Sequence, residues 1–419
     1  MKRKGFFIRR PRQVVRLDGA VIRGPRQVVR LGKVVMCLLT VVLLILTVGC
    51  GNTDEQGQAS QSPALTTEGK DKLKVFFLNV GKGDAALISI PGGYWVMIDT
   101  GPEKGFGETG RQLMHNGVDK LSAVFVTHGH SDHIGGLPGV LSMADCDAVY
   151  TIGQAMGEKN ILAAKASGVN ISEINTGDTL KFGDAVFTAL GPSGSYQEEN
   201  DNSLVLMLEY KGVKLLFTAD QLFAAERDIL SLGDRLNADV LKVAHHGQDD
   251  TSSQEFIKAV SPLYAVITTD IENKPSQQVI NSIKLAGGKT FVLGETGTML
   301  FESDGSESSM SPLPAPEAAA PDVRIDDMDV SAEYVTVANH TDEAVDLTGW
   351  CIFSEKGSDI YFFPEGTKLD AWASVNIYSG KAAKTASGGL IWTQDKVLGK
   401  NDVCILYDSF GREVSSRGR

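Results

Sequence analysis

The stretch "THGHSDHIGG", Thr127 to Gly136, places three of the chain's 7 histidines within six residues, with an aspartate among them. His128 follows the apolar run "AVFVT", where a buried strand gives way to a loop. Open α/β proteins place their sites at that edge of the sheet. His128 and His130 can direct two imidazoles at one cation. Asp132 and His133, one step on, can direct a carboxylate and an imidazole at a second. Neutral imidazole with carboxylate suits Zn²⁺, Mn²⁺ or Fe²⁺. Ile134-Gly135-Gly136 then lets a helix start close against the site, where its N-terminus also favours anions. The competing reading, a polar turn with solvated histidines, does not account for this spacing.

The surrounding pattern is layered α/β. From Leu73, "LKVFFLNV", "DAALISI" and "YWVMID" read as strands joined by glycine turns, and "GETGRQLMHNG" and "IGGLPGVLSMAD" as helical. "AVFTAL", "SLVLMLEY", "VKLLFTAD", "ADVLKVAHH" and "YAVITT" follow as strands, with helical stretches between several of them. Strands flanked by helices on both faces make one domain, expected over 73–301. Residues 302–322, "ESDGSESSMSPLPAPEAAAPD", read as a Ser/Pro/Ala linker. Short strands with turn signals and no convincing helix then predict a β-sandwich over 323–412. Trp350, Phe363 and Trp372 are its expected core aromatics.

The chain has 419 residues and a formal net charge of -12, unevenly spread. Residues 1–49 hold eleven lysines and arginines and one acid, Asp18, leaving 29 basic against 51 acidic residues, a net of −22. Such a body repels polyanions at long range and argues against a bulk nucleic-acid coat protein, though not against an enzyme that meets phosphate through a metal. The first 49 residues read as an address. An apolar run from Val34 to Val48 suits a signal peptide better than a membrane span. It ends in Thr47-Val48-Gly49-Cys50, which resembles the lipobox of bacterial lipoproteins, making Cys50 the lipidation candidate. Plain secretion and an uncleaved anchor remain open. The location implied is the extracellular face of a bacterial cell membrane, or the exterior. Upstream lies a near-duplication, "RPRQVVRL" and "GPRQVVRL", so translation starting at Met36 or nearby is also open. Residues 50–72 read as a flexible tether. An oxidising exterior permits a disulfide, with Cys351 and Cys404 the expected pair.

The His-x-His-x-Asp-His motif resembles the metallo-β-lactamase superfamily, and the resemblance implies further ligands downstream. Asp220, ending the strand "KLLFTAD", stands where the family has its bridging carboxylate, although a helix N-cap is a second reading. His245-His246, ending "DVLKVAHHG", stands where the last histidine ligand belongs. The resemblance leaves open which of the two binds metal and which contacts substrate or donates a proton. "FLNVGKGDAALI", "MIDTG", "NDNSLVL" and "LKVAHHG" are similar to ComEC-type competence hydrolases. There Asn200 and Ser203 occupy the region of the third histidine of classical β-lactamases and become substrate-binding candidates. His128 and His130 would then share their metal with Asp220 and solvent. Lys82 is a candidate phosphate contact or a solvated loop lysine; Asp84 and Asp99 orient ligands or cap turns. The chain departs from the pattern at Asn79 for Asp, Lys82 for Gln, Ala219 for Gly and Gln248 for Ser, none of them a proposed ligand.

The implied fold is a metallo-β-lactamase αββα sandwich followed by an all-β immunoglobulin-like sandwich. The latter resembles a lamin-tail domain through Glu333–Asn339, Val345–Trp350 and Phe363–Thr367. The implied chemistry uses two divalent metals, Zn²⁺ or Mn²⁺, to activate a hydroxide against a phosphodiester, possibly DNA. Asp132, His245 and His246 are the catalytic candidates. The C-terminal domain is expected to bind DNA or an envelope polymer, or to act as a spacer. Two other readings stand: a phosphodiesterase of wall polymers such as phosphorylcholine-bearing teichoic acid, and a non-enzymatic surface protein with a structural metal. Open coordination positions favour an enzyme, since structural zinc sites are closed by four protein ligands.

Overall fold

The computed structural model describes residues 72–103, 106–313, 320–356, 359–409 and 412–418, and two short strands, Arg16–Leu17 and Ala20–Val21. The apolar run and Cys50 lie outside the described residues. Among the described residues no helix is long and apolar enough to cross a membrane.

Two sheets face each other. The first has eight strands in the order Ile171–Glu173, Val149–Thr151, Ala123–Val126, Tyr94–Thr100, Ala85–Ile90, Leu73–Phe77, Met299–Ser303, Ser308–Pro312. The second has seven: Thr179–Phe182, Ala185–Gly191, Val205–Tyr210, Val213–Phe217, Val240–Lys242, Tyr264–Ile267, Lys289–Val292. Strand side chains alternate between faces, and these strands are apolar on both. Leu73, Val75 and Phe77 point into the layer between the sheets, while Phe76 points out to helices. Leu206 and Leu208 likewise face inward, and Val205 and Met207 outward. Stacked rings join the sheets: Phe77 on Phe217 at 5.8 Å and Phe125 on Phe187 at 5.2 Å between centroids. The helices Phe106–His115, Leu137–Met143 and Lys159–Ala166 cover the outer face of the first sheet. Gln254–Val260 and Gln277–Leu285 cover that of the second, completing an αββα sandwich.

The stretch read as linker is partly strand. Ser308–Pro312 pairs antiparallel with Met299–Ser303 and forms the edge of the first sheet. Its serines hid it, because an edge strand with one solvated face needs no apolar period. The C-terminal sandwich also runs past the expected boundary at 412. Glu413–Gly418 pairs with Val403–Tyr407.

That sandwich packs the sheet Val323–Asp329, Tyr334–Asn339, Ser374–Tyr378, Leu390–Ile391 against the sheet Asp359–Phe362, Cys351–Ser354, Val403–Tyr407, Glu413–Gly418. Trp350, Phe363 and Trp392 fill the core. Trp372 does not: it sits in a turn with φ +59° and is 69 % exposed. A short helix, Gly380–Thr385, interrupts the strands where none was expected. Cys351 and Cys404 are free thiols. Cys404 pairs in register with Ser354, three residues from Cys351, so the two cysteines lie on opposite faces of one sheet. Cys404 enters the sandwich core and Cys351 faces outward.

Outward here means onto the first domain. Cys351, Phe353, Ile360 and Tyr407 join the cluster formed by Phe106, Leu113 and Val140. Phe353 stacks obliquely on Phe106 at 5.1 Å, and Cys351 Sγ lies 3.5 Å from Met114 Sδ. Gly107 makes the approach possible, because a Cβ there would collide with the Tyr407 hydroxyl.

Candidate metal centre

Five strand ends deliver the site. Tyr94–Thr100 and Ala123–Val126 of the first sheet supply Asp99 and the loop from Thr127. Val213–Phe217, Val240–Lys242 and Tyr264–Ile267 of the second supply Asp220, His246 and Thr268. All five end at the same open edge between the sheets.

Glycines let the loops come together. A Cβ on Gly83 would lie 2.5 Å from the carbonyl oxygen of Asp132, and the Asp84 amide donates to that oxygen at 3.1 Å. The "GKGDA" turn therefore braces the metal-loop backbone. Gly136 lies equally close to the Thr100 carbonyl, which seats the helix after His133 on the strand bearing Asp99.

His133, His246, Asp132 and Asp220 offer ligand atoms within 4.8 Å of one another, and so do His128, His130 and Asp220. Asp220 belongs to both groups, which is the position of a bridging ligand. Its Oδ2 lies 3.2 Å from His133 Nε2, 3.5 Å from His246 Nε2 and 3.9 Å from His128 Nε2. These three Nε2 atoms are buried and make no aligned hydrogen bond.

Their Nδ1 atoms are all held from behind. His246 Nδ1 lies 3.0 Å from the Thr268 carbonyl, which can only accept, so Nδ1 carries a proton. His133 Nδ1 lies 2.8 Å from Asp99 Oδ2. The Thr127 hydroxyl donates to Asp99 at 2.7 Å and faces His128 Nδ1 at 3.1 Å. Asp84 accepts from the Thr268 hydroxyl at 2.5 Å. Backing of this kind fixes the tautomer and turns the Nε2 lone pairs toward a cation.

Asp220 is not a helix cap. The helix Phe223–Ile229 has Leu222 as its N-cap residue, and Asp201 Oδ1 accepts from the amides of Leu222 and Ala225.

His245 falls in neither ligand group. Its Nδ1 contacts Asp250 at 2.8 Å and its Nε2 faces Asn200 Nδ2 at 3.4 Å. His245 and His246 both have positive φ, 44° and 54°, and this strained pair of backbone angles sends neighbouring side chains to different tasks. Asn200 Oδ1 and Ser203 Oγ are buried without partners beside the loop, since the Leu204 amide donates to the Thr127 carbonyl at 2.9 Å. Lys82 is exposed on the glycine turn, and its backbone amide reaches Asp270.

Lys242 escaped the sequence reading. It is buried, its ammonium pairs with Asp84, donates to the Ala219 carbonyl at 2.9 Å and lies 3.9 Å from Asp220. A lysine inside the apolar run "DVLKVA" was the available signal. Glu199 was also missed; its carboxylate lies 3.3 Å from His130 Nε2.

The electrostatics differ between the two groups. Burial, helped by a neighbouring His133, lowers the His128 pKa well below the ordinary value, so it is neutral. Burial acts the same way on His133 but is outweighed by Asp220, Asp84 and Asp99, which raise it well above. His246 is pushed up to about 8, burial again being overcome by Asp220 and Asp132. Asp220 and Asp132 resist the upward push of burial and titrate below the ordinary carboxylate range, because these histidines face them. Without cations, protons on His133 and His246 compensate the buried carboxylates. The donor set of imidazole lone pairs around a shared carboxylate fits a pair of divalent metals.

Fold and site together define a metallo-β-lactamase-fold domain followed by a lamin tail domain, and the fold implies divalent-metal binding. Residues 78–269 match the family model of the metallo-beta-lactamase superfamily, and residues 316–419 that of the lamin tail domain. ComE operon protein 3 of Bacillus subtilis (strain 168) is 27 % identical over 277 residues, 60 % of this chain and 35 % of that protein. Competence protein ComA of Neisseria gonorrhoeae is 26 % identical over 282 residues, 64 % of this chain and 38 % of that protein. The chain thus spans little more than a third of the length of these relatives. A solved structure, the metallo-beta-lactamase fold protein YhfI from Bacillus subtilis, is 15 % identical with a TM-score of 0.39, covering 56 % of this chain and 100 % of its own.

Proposed function

We propose that this chain is a dinuclear metal-dependent phosphodiesterase, exported and held at the outer face of a bacterial membrane through Cys50. The carrying observation is Asp220, whose Oδ2 is shared between the His128/His130 group and the His133/His246/Asp132 group. Divalent cations bound there would supply an activated water and polarise a phosphoryl oxygen.

The chain's own groups do the rest. Asp99 and the Thr268 carbonyl keep His133 and His246 in the tautomer that presents Nε2. Asn200 Oδ1 and Ser203 Oγ, buried and unpartnered, orient the substrate. His245, tied to Asp250 and outside the ligand groups, holds a proton for the leaving oxygen. The competence-protein relatives support a DNA-like phosphodiester as substrate, and the lamin tail domain supports a second contact to a polymer.

One observation favours a wall polymer instead. Asp250, with a substantially exposed carboxylate, stands against His245, and this acidic group repels a polyanion more than a zwitterionic phosphodiester. The test is turnover of bis(p-nitrophenyl) phosphate, a β-lactam, single-stranded DNA and a phosphorylcholine ester with Mn²⁺ or Zn²⁺. The small diester should be cleaved, and Asp132→Ala should abolish cleavage. Hydrolysis of the β-lactam alone would refute the reading. Cleavage of the choline ester with DNA left intact would select the wall polymer.

A further inference from the structure

The group formed by His128, His130 and Asp220 is one donor short of its neighbour. The neighbour has two imidazoles, a carboxylate of its own in Asp132, and the shared Asp220. His128 and His130 have only the shared carboxylate in that grouping. We propose that Glu199 supplies the missing carboxylate and is a ligand of the cation held by His128, His130 and Asp220. The proposal rests on the metal reading above.

Three observations converge. Glu199 Oε2 lies 3.3 Å from His130 Nε2 but outside the mutually close set of His128, His130 and Asp220, so its half-exposed side chain must turn from His130 toward the cation to bind it. Gly129, between the two histidines, leaves the space it occupies. A Cβ there would lie 2.9 Å from Glu199 Oε1 and 3.0 Å from Glu158 Cγ. His128 Nε2, the other lone pair of the group, is buried and unpartnered.

The backbone around Glu199 is held although its side chain is 52 % exposed. It precedes the short 3₁₀ turn Asn200–Asn202, and the Asn202 amide donates to the Glu199 carbonyl at 3.0 Å. The Asn202 side chain accepts from the Tyr196 amide and donates to the carbonyls of Tyr196 and Glu198. Two residues on, Leu204 is anchored to Thr127 at the start of the metal loop. The turn thus delivers a carboxylate to the loop at a defined place.

Charge makes the same point. Two neutral imidazoles and half of one carboxylate leave a divalent cation poorly compensated. With Glu199 each cation has two imidazoles, one carboxylate of its own and a share of Asp220. The added hard oxygen also suits Mn²⁺.

The test is metal content and affinity of the full chain, by elemental analysis and competition with a chelator, for Mn²⁺ and Zn²⁺. Wild type should hold two ions. Glu199→Gln keeps the shape but removes the charge, and should weaken one of the two at least tenfold while leaving the other unchanged. Glu199→His should restore the second ion, because an imidazole can serve as the donor. Two ions held by Glu199→Gln with unchanged or tighter affinity would overturn the proposal, reducing Glu199 to an ion-pair partner of His130 that metal displaces. Wild type holding no ion would instead remove the metal reading on which it stands.

Discussion

Lys242 places a buried ammonium against Asp84, Asp220 and the Ala219 carbonyl, directly behind the proposed bridging ligand. Ala219 has φ +46° and Asp99 φ +54°, so two turns next to the site hold non-glycine residues in the left-handed region. Such angles persist only where surrounding contacts over-determine them, and the Lys242 bond to Ala219 is one of those contacts. Removing one partner of a buried ion pair costs about 3–5 kcal/mol. Lys242→Met should therefore lower the unfolding free energy of the metal-free chain by that order, measured by urea denaturation, and Lys242→Arg should recover only part of it. Protonation gives a second expectation at this scale. The folded pKa of His246 is raised to about 8 from an ordinary 6.5, and that of His133 is raised as well by the facing Asp220, Asp84 and Asp99. The His246 contribution to the metal-free chain is present below pH 6.5 and is lost as pH rises through about 8, and the His133 contribution has the same sign. Metal binding must displace the same protons, so affinity should rise over that range. Chelator-treated protein should melt earlier at pH 9 than at pH 6, and titration calorimetry in buffers of different ionisation enthalpy should show proton release on metal binding. Unchanged melting across that range would remove this account of His133 and His246.

At the scale of elements, the site depends on loops seated by glycines. Gly136 has helical angles, so replacing it meets no dihedral penalty and tests contact alone. Its Cβ would collide with the Thr100 carbonyl. Gly136→Ala should cost about 1–3 kcal/mol as overpacking and weaken metal retention, read from thermal melts with and without Zn²⁺. The residues most legible in the sequence were those whose chemistry is local. His128, His130, Asp132 and His133 lie on one loop, and a short spacing says which groups can share a cation. The strands feeding the loop were legible for the same reason, since an apolar run flanked by turn residues is a local signal. Glu199 was not legible, because it acquires its role from a residue far along the chain, and Lys242 showed only as a charge inside an apolar run, its partners Asp84 and Asp220 being distant in sequence. The choice between His245 and His246 needed the backbone angles that turn their side chains apart. The strand Ser308–Pro312 was hidden because its pairing with Met299–Ser303, rather than its composition, makes it a strand.

At the scale of the whole molecule, the lamin tail domain lies on the helices that flank the metal loop. Phe353 fits against Phe106 and the glycines of the Gly135–Gly139 segment. Phe353 points away from its own sandwich core, so Phe353→Asp should leave that core folded while placing a charge in the contact. Wild type should unfold in a single calorimetric transition. The variant should show two, and become sensitive to proteolysis between the domains. Two transitions in wild type would show that the contact adds no cooperativity. The collision that Gly107 avoids with Tyr407 has a consequence for how such chains are assembled in evolution and in engineering. The sandwich cannot be grafted onto any hydrolase as a free-standing bead. A recipient with a side chain at that helix position would refuse the fit, and a donor cut away from its helix would carry a bare apolar face made of Cys351, Phe353, Ile360 and Tyr407. The natural unit of exchange is therefore the sandwich together with the helix Phe106–His115, two segments more than 200 residues apart that must change hands as one.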